Sequence, residues 1–514
     1  MTALRVAAVA AGALAMALAG LRWLRVAQRE HYLPGAAARF ARRWWGSSPL
    51  GQAGSLIAVA GAAAAWRWPG AALAPAVVVA AGPPGLGLRG RTAPLAWTRR
   101  LRTLAATVTA LGGAALGVAV VAGAGPGVAA VSTLLVPLLV DLGCAITGPF
   151  ERAAAKRHVT RATERLRRVA PTVVAITGSY GKTGTKGYVA HLLAGSKTVL
   201  ASPASFNNRA GLARAVNENL LEGTDVFVAE MGTYGPGEIA ELCSWLLPDI
   251  AVITAVGPVH LERFGTEDRI LAAKAEILEK APVAVLNVDD PRLAALAGET
   301  EGRGHRVRRV SRSAAADVRV SDDGDGLVLL VDGAEVGRTA AGPRPGNLAC
   351  AVAVALELGV PVDEIGRRLG SLPTTPHRLE PGRGAAGFLV LDDTYNANPA
   401  GARLALEALE TMAPPGGRRV VVTPGMVELG RRQGRENASF ARDVARLADD
   451  LVVVGRTNRR ALLDGARQAD GRTRPAPLRV TVVRHRPAAV AWLRDRLGPD
   501  DIVLYENDLP DHYP

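Results

Sequence analysis

Apolar positions are distributed along this chain in two unlike ways. Up to about residue 150 they form long Ala/Val/Leu/Gly runs, at Val6 to Leu21, Leu50 to Trp66, Ala71 to Leu86, Leu104 to Ala122 and Val128 to Ile146. Each is close to the ~17–25 residues that cross a hydrocarbon layer, so the pattern predicts five spans. Beyond residue 170 the runs shorten and alternate with helical periodicity. Strands are predicted at Val173–Ile176, Thr198–Leu200, Val226–Ala229, Ile250–Thr254 and Val283–Leu286, with helices such as Ile270 to Glu279 between them. That alternation implies a parallel sheet covered on both faces. Asp-Gly turns between alternating apolar positions predict hairpins from Val318 to Thr339, and a helix from Asn347 to Leu358 closes the unit. A second α/β unit follows the proline-containing connector Ser371 to Pro376. Its strands are predicted at Phe388–Leu391, Val420–Thr423, Leu451–Val454, Val480–Val483 and Ile502–Tyr505, and its helices include Ala402 to Met412 and Asn437 to Leu447.

Arginines crowd two connectors of the first region (Arg22, Arg25, Arg29, Arg39, Arg42, Arg43; then Arg89, Arg91, Arg99, Arg100, Arg102) and its exit (Arg152, Lys156, Arg157). By the positive-inside rule these segments face the cytoplasm, the N-terminus lies outside, and everything after residue 150 lies inside. The localisation expected is therefore a multi-pass cell-membrane protein with cytoplasmic catalytic domains. A cleaved signal peptide fits poorly, because Leu14 to Gly20 is followed by Arg22-Trp23-Leu24-Arg25 and four more apolar runs. A soluble, alanine-rich helical domain remains the alternative. The net charge of +14 could signal nucleic acid, anionic lipid or acidic substrates. With aromatics at 4% and no basic run interleaved with them, base stacking is disfavoured and no nucleic-acid partner is expected. Cys144, Cys243 and Cys350 are widely separated and have no metal-ligand spacing, so they read as reduced structural thiols.

The chemistry begins at Ala175-Ile176-Thr177-Gly178-Ser179-Tyr180-Gly181-Lys182-Thr183-Gly184, where a buried strand enters a glycine-bearing loop that continues as a helix. Loop N–H groups and the positive helix end suit phosphate oxygens, so Gly178, Ser179, Gly181, Lys182 and Thr183 are candidate triphosphate ligands. Lys182 would bridge the terminal phosphates, and the Thr183 hydroxyl would hold Mg²⁺. Glu230 ends a second buried strand on the same sheet edge and could complete that coordination. His260 and Lys274 follow; taken singly, each is as readily a surface residue.

Several segments together resemble the Mur ligase family, ATP-dependent amide-forming enzymes of peptidoglycan precursor synthesis, and most of all its UDP-N-acetylmuramoyl-tripeptide:D-alanyl-D-alanine ligase branch. Besides the phosphate loop they are Phe206-Asn207-Asn208, Ala229-Glu230-Met231-Gly232, His260-Leu261-Glu262-Arg263-Phe264-Gly265, Lys274-Ala275-Glu276-Ile277, Leu286-Asn287, Asp392-Asp393-Thr394-Tyr395-Asn396-Ala397-Asn398-Pro399 and Met426-Val427-Glu428-Leu429-Gly430. The resemblance implies that ATP phosphorylates a substrate carboxylate and that an amine then attacks the acyl phosphate. It implies two Mg²⁺, one held by Thr183 and Glu230 and the other by His260 and a carbamylated Lys274, with Lys182, His260 and Lys274 as catalytic residues. It places Asn287, Asn347, Arg378, Asp393 and the neighbouring Asn396 near the nucleotide, and Asn207 and Asn208 near substrate. Each of the five residues placed near the nucleotide could instead be a turn or cap residue.

The fold class expected is thus α/β, with a helical membrane domain over 1–150, a basic linker helix over 151–169, a central P-loop parallel-sheet domain over 170–375 and a Rossmann-like domain over 376–514. Two departures bear on substrate. Family members usually begin with a soluble domain that binds the UDP moiety, whereas this chain begins with apolar spans. Tyr505-Glu506-Asn507-Asp508 stands where relatives carry a Lys-Gly-Ser-Arg-like segment associated with the incoming dipeptide. The expected function is a membrane-anchored ligase joining an amino acid or short peptide to an acidic acceptor of envelope synthesis. A poly-γ-glutamate-type polymerising ligase and an ATP-driven transporter or scaffold are the alternatives.

Overall fold

A computed structural model describes residues 3–514 except 91, 93, 205, 341–343, 374–377, 396 and 469–475. The predicted connector at Ser371 to Pro376 therefore lies partly outside the described residues.

The first region is entirely helical: α1 (Ala3–Arg29), α2 (Ala36–Gly46), α3 (Pro49–Ala64), α4 (Leu73–Ala81), α5 (Arg99–Val121), α6 (Gly125–Leu134) and α7 (Val136–Val169). Among the described residues only α1 and α5 are long and apolar enough to cross a membrane, with a third span if α6 and α7, bent by 73°, count as one. At 1.5 Å per residue α3 and α4 reach only about 24 and 14 Å, short of a ~30 Å hydrocarbon core. The span predicted over Ala71 to Leu86 is shortened at both ends: a 3₁₀ turn at Pro69–Ala72 takes its start, and Gly82 (φ +76°) ends α4. The two short helices pack on each other and on α6, and α4 also packs on α1. The basic segment expected as a separate linker is the second half of the 34-residue α7.

The strands β1 (Thr172–Thr177), β2 (Val199–Ala201), β3 (Val226–Glu230), β4 (Ile250–Ile253), β5 (Val283–Asn287), β6 (Arg306–Ser311), β7 (Val318–Asp322), β8 (Leu327–Val331) and β9 (Ala334–Thr339) form one sheet in the order β2-β3-β1-β4-β5-β6-β7-β8-β9. It is parallel through β7 and antiparallel across β7–β8–β9. Strand β6, rich in arginine, was not anticipated. The second sheet contains β10 (Glu380–Arg383), β11 (Leu389–Asp393), β12 (Arg419–Thr423), β13 (Asp450–Val454), β14 (Arg479–Val483) and β15 (Ile502–Glu506) in the order β10-β11-β15-β12-β13-β14, parallel except for the edge strand β10.

Burial follows from those connections. Parallel strands need crossover helices on both faces, so Val174, Ile176, Phe227, Val228, Ala251 and Val252 are all fully buried. The polar residues Thr177, Glu230, Asp393 and Glu506 end their strands, and so collect at the carboxyl edges where a doubly wound sheet leaves a crevice.

Candidate functional site

Strand β1 delivers the chain into the loop Gly178–Gly181, and α8 (Lys182–Leu193) starts directly after it. Gly178 (φ +153°) and Gly181 (φ +83°) take backbone conformations that side chains resist, and a Cβ at either would collide with Thr254 or Asn347. The loop can therefore bring its backbone close to a ligand. Lys182 Nζ donates to the Gly178 carbonyl at 2.7 Å, held over the loop it would serve. Burial lowers its pKa, as does Arg378, while Glu230 opposes the shift.

Glu230 is 1% exposed and accepts from Thr183 Oγ1 at 3.0 Å and from Asn207 Nδ2 at 3.2 Å. Lys186 Nζ lies 3.0 Å from the same carboxylate and donates to the Ser202 and Ala204 carbonyls. A buried carboxylate beside a hydroxyl, with a lysine offsetting its charge, fits a small hard cation. Sequence reasoning missed Lys186, although it sits four residues beyond Lys182 on the same helix face.

A cavity of about 50 Å³ joins the loop to the other candidates: Gly178, Ser179, Lys182, Asn207, His260 and Lys274 all line it, with Tyr234 among the rest. Lys274 is 5% exposed, and burial together with the nearby Lys182 charge pulls its pKa well below the ordinary lysine value. Burial thus favours the uncharged, nucleophilic form of the amine, the form that carbamylation by CO₂ would require. Among the described residues no group of three or more His, Cys, Asp or Glu gathers to hold a metal. The metal candidates Thr183, Glu230 and His260 therefore form no such cluster by themselves.

Asn208 does not line this cavity. It caps α9 (Arg209–Asn219), accepting from Gly211 N at 3.0 Å, which is a helix-terminus role. Asn347 lies against Gly181, and Asn287 donates to the Thr254 carbonyl at 3.1 Å beside Gly346. Asp393, 1% exposed at the end of β11, faces Arg344 and Arg378. Arg378 also lies over the Tyr395 ring at 4.7 Å. Asn396 lies outside the described residues.

Two further residues hold His260. Glu428, from the loop after β12, contacts His260 Nδ1 and accepts from Arg263 at 3.2 Å. Burial would raise the Glu428 pKa, but the hydrogen bond and charge of His260, with Arg263 and Arg39, hold it down at about 2. The Tyr234 ring meets the His260 ring edge-on at 5.0 Å. Glu428 falls in the Met426 to Gly430 segment of the family resemblance, which gives it no role, and nothing in the local sequence marks Tyr234.

A glycine-hinged phosphate loop, a buried Thr–Glu pair and a buried lysine, all under a second α/β domain, define a nucleotide-dependent group-activating enzyme. The Mur ligase middle domain matches residues 176–338 and the Mur ligase glutamate ligase domain matches residues 377–505. The chain belongs to the Mur ligase family, the ATP-dependent amide-bond-forming ligases of peptidoglycan precursor synthesis. It is 35% identical over 372 residues to the UDP-N-acetylmuramoyl-tripeptide–D-alanyl-D-alanine ligase of Mycobacterium leprae, covering 65% of this chain and 70% of that one. Among solved structures it resembles the MurF ligase of Thermotoga maritima in complex with ADP (TM-score 0.59, 27% identity, 69% of this chain and 80% of that one). MurF from Acinetobacter baumannii gives the same TM-score at 26% identity, over 69% and 77%. Helices α1–α7 lie outside both matched domains.

Proposed function

We propose that this ligase sits in the cell membrane through its N-terminal helices and, on the cytoplasmic side, joins an amino acid or short-peptide amine to an acidic acceptor used in envelope synthesis. The observation that carries the chemistry is the common cavity of Gly178, Ser179, Lys182, His260 and Lys274. Loop N–H groups and Lys182 bind and orient the terminal phosphates of ATP, and the acceptor carboxylate is held against them. Mg²⁺ held by Thr183 with Glu230, and by His260 with carbamylated Lys274, would supply neutralising charge where phosphate and carboxylate crowd together. Asn347, Asn287, Asp393 and Arg378 surround the nucleotide. Asn207 fixes Glu230 and borders the acceptor.

The relatives named above act on a UDP-linked muramoyl tripeptide and D-alanyl-D-alanine, which sets the chemical class of both substrates. Two features shift the particulars. The helical region stands where a soluble nucleotide-sugar domain would be expected, which favours an acceptor carried at the membrane. Glu506 ends β15 and Asp508 follows it, where relatives are expected to carry cations, which favours an amine other than D-alanyl-D-alanine.

Membrane placement is supported by what α1 and α5 expose: only 28% and 22% of their apolar windows are buried within the protein. A helix that apolar in a water-soluble domain would be buried. On α7, Leu138, Leu142, Ile146 and Phe150 are exposed at four-residue spacing, and Lys156, Arg157 and Arg161 follow along the same helix. That is the profile of a helix passing from acyl chains to anionic headgroups.

The test is ADP release by the detergent-purified chain across acceptors and amines, with product masses determined. A single amide product supports the reading, a ladder of masses supports a polymerising ligase, and ATP hydrolysis without amide formation supports a transporter or scaffold. Recovery of the full-length chain in the soluble fraction without detergent would refute membrane placement.

A further inference from the structure

The end of α1 reaches the catalytic cavity by two routes. Glu30 Oε2 pairs with Arg263 at 3.1 Å, Arg263 pairs with Glu428 at 3.2 Å, and Glu428 holds His260. His31 Nε2 lies 3.3 Å from the Tyr234 hydroxyl, its ring stacked on Tyr234 at 5.1 Å, and Tyr234 abuts His260. Arg263 also lies over the Tyr234 ring at 4.6 Å, so the routes share a member.

Three parts of the chain thus converge on His260: the helical region through Glu30 and His31, the central domain through Tyr234 and Arg263, and the C-terminal domain through Glu428. Its backbone makes that convergence matter. His260 has φ +58°, a left-handed conformation costly for a residue with a side chain and stable only where surroundings dictate it. The charges close the circuit. Glu30, Glu262 and Glu428 face Arg39, Arg43 and Arg263 in a half-dry cluster, with His512 Nε2 adding a contact to Glu30 at 3.1 Å. Removing one acid leaves a buried guanidinium short of a partner, and its remaining bonds re-form around the gap.

We infer that Glu30 and His31 are positioning residues for the ligase reaction: from the helical region they fix the direction of the His260 ring through Arg263–Glu428 and through Tyr234. Docking of the helices on the catalytic domains is then a condition for a complete site as well as a tether. The inference rests on the reading of His260 as a metal-holding residue, and the test separates the two.

Mn²⁺ is titrated into the full-length protein in detergent with a non-hydrolysable ATP analogue, followed by electron paramagnetic resonance, and metal-free nucleotide binding and melting temperature are measured in parallel. Glu30→Gln and His31→Ala should each weaken the His260-dependent Mn²⁺ site about tenfold, with nucleotide affinity within about twofold of the parent, and Glu30→Asp should recover most of the loss. In a His260→Ala background neither substitution should weaken Mn²⁺ further, because the group they orient is gone. Parent-like Mn²⁺ affinity in both variants, or an equal drop with and without His260, would overturn the inference. Should Glu30→Gln fail to fold, the exposed His31→Ala carries the same two outcomes. If His260→Ala itself leaves Mn²⁺ binding unchanged, the metal reading of His260 falls, and this inference with it.

Discussion

The two halves of the molecule differ in what they turn outward: both pack an apolar core, but the helical half also exposes a broad apolar surface. In the α/β half, strands β1, β3 and β4 are buried almost throughout, and the polar residues that matter wait at their ends. In the helical half Leu14, Leu56, Ile57, Val77, Val118 and Val121 point outward, while Arg22, Arg25 and Asp141 are buried. Each buried charge there has a named partner. Arg22 donates to the Val79 and Ala81 carbonyls at the end of α4, Asp141 accepts from Ala37 N and Ala38 N at the start of α2, and Arg25 pairs with Asp511 at 3.0 Å. Such an arrangement is unfavourable in water and natural against acyl chains. The lesson concerns arginine as much as leucine. The connector arginines expected to meet lipid headgroups are in part spent on docking: Arg39 and Arg43 pair with Glu262, and Trp44 donates to the His512 carbonyl.

If the phosphate loop of the α/β half carries the chemistry, Lys182→Ala should reduce ADP release by about 10²–10³-fold with the fold intact, the scale of removing one donor to developing charge. Lys274→Ala should fall in the same range, with no response to added bicarbonate where the parent responds. Wild-type amide formation in both would break the assignment. The solvent contrast has a sharper test in two leucines of matched exposure, Leu14 at 63% on α1 and Leu221 at 64% in the α/β half. Against lipid, Leu14→Arg should cost about 3 kcal/mol and lower recovery in the membrane fraction. Against water, Leu221→Arg should stay within about 0.5 kcal/mol of the parent by thermal melting. Equal, small effects would mean that both surfaces face water.

What the sequence discloses about each half depends on how local the determining contacts are. Strands β1, β3, β4, β5, β12, β13 and β15 are legible because each is a short apolar run containing Val or Ile and ended by a polar residue or turn. Strand β6 is hidden because its arginines look like surface: Arg308 pairs with Glu357 and Arg309 with Glu301, partners that only the fold supplies. The phosphate loop and Glu230 are legible for the same reason of locality. Glu428 and Glu30 are not, since they lie 168 residues from His260 and 233 from Arg263. Asn208 is ambiguous in sequence because an asparagine before a helix looks alike as cap or ligand, and the structure shows the cap. The helical half was overread: apolar runs predict the length of hydrophobic sequence, while Pro69 and Gly82 decide how much of it is straight.

The smallest expected effect concerns the edge where Asp393 and Glu506 stand side by side in register on β11 and β15. Glu506 is 1% exposed, and neither of its carboxylate oxygens has a hydrogen-bond partner. Burial, then the facing Asp393, pushes its pKa well above the usual carboxylate range, against the pull of Arg344 and Arg378. Below about pH 4.5 the carboxyl is protonated folded or unfolded and costs nothing. As pH rises past that point the unfolded chain releases its proton while the folded chain keeps it, so stability falls until the raised folded pKa is reached. Glu506→Gln removes that titration. It should match the parent in thermal or denaturant unfolding near pH 4 and exceed it by about 1–2 kcal/mol at pH 7.5, the scale of an unsatisfied buried polar group. A loss of stability at pH 7.5 would instead mean that Glu506 is ionised and paired with Arg344, whose Nη2 is also buried without a partner. That result would turn this edge from a strained, function-ready acid pair into an ordinary strut between the two α/β domains, and would narrow the contrast between the halves to their outer surfaces alone.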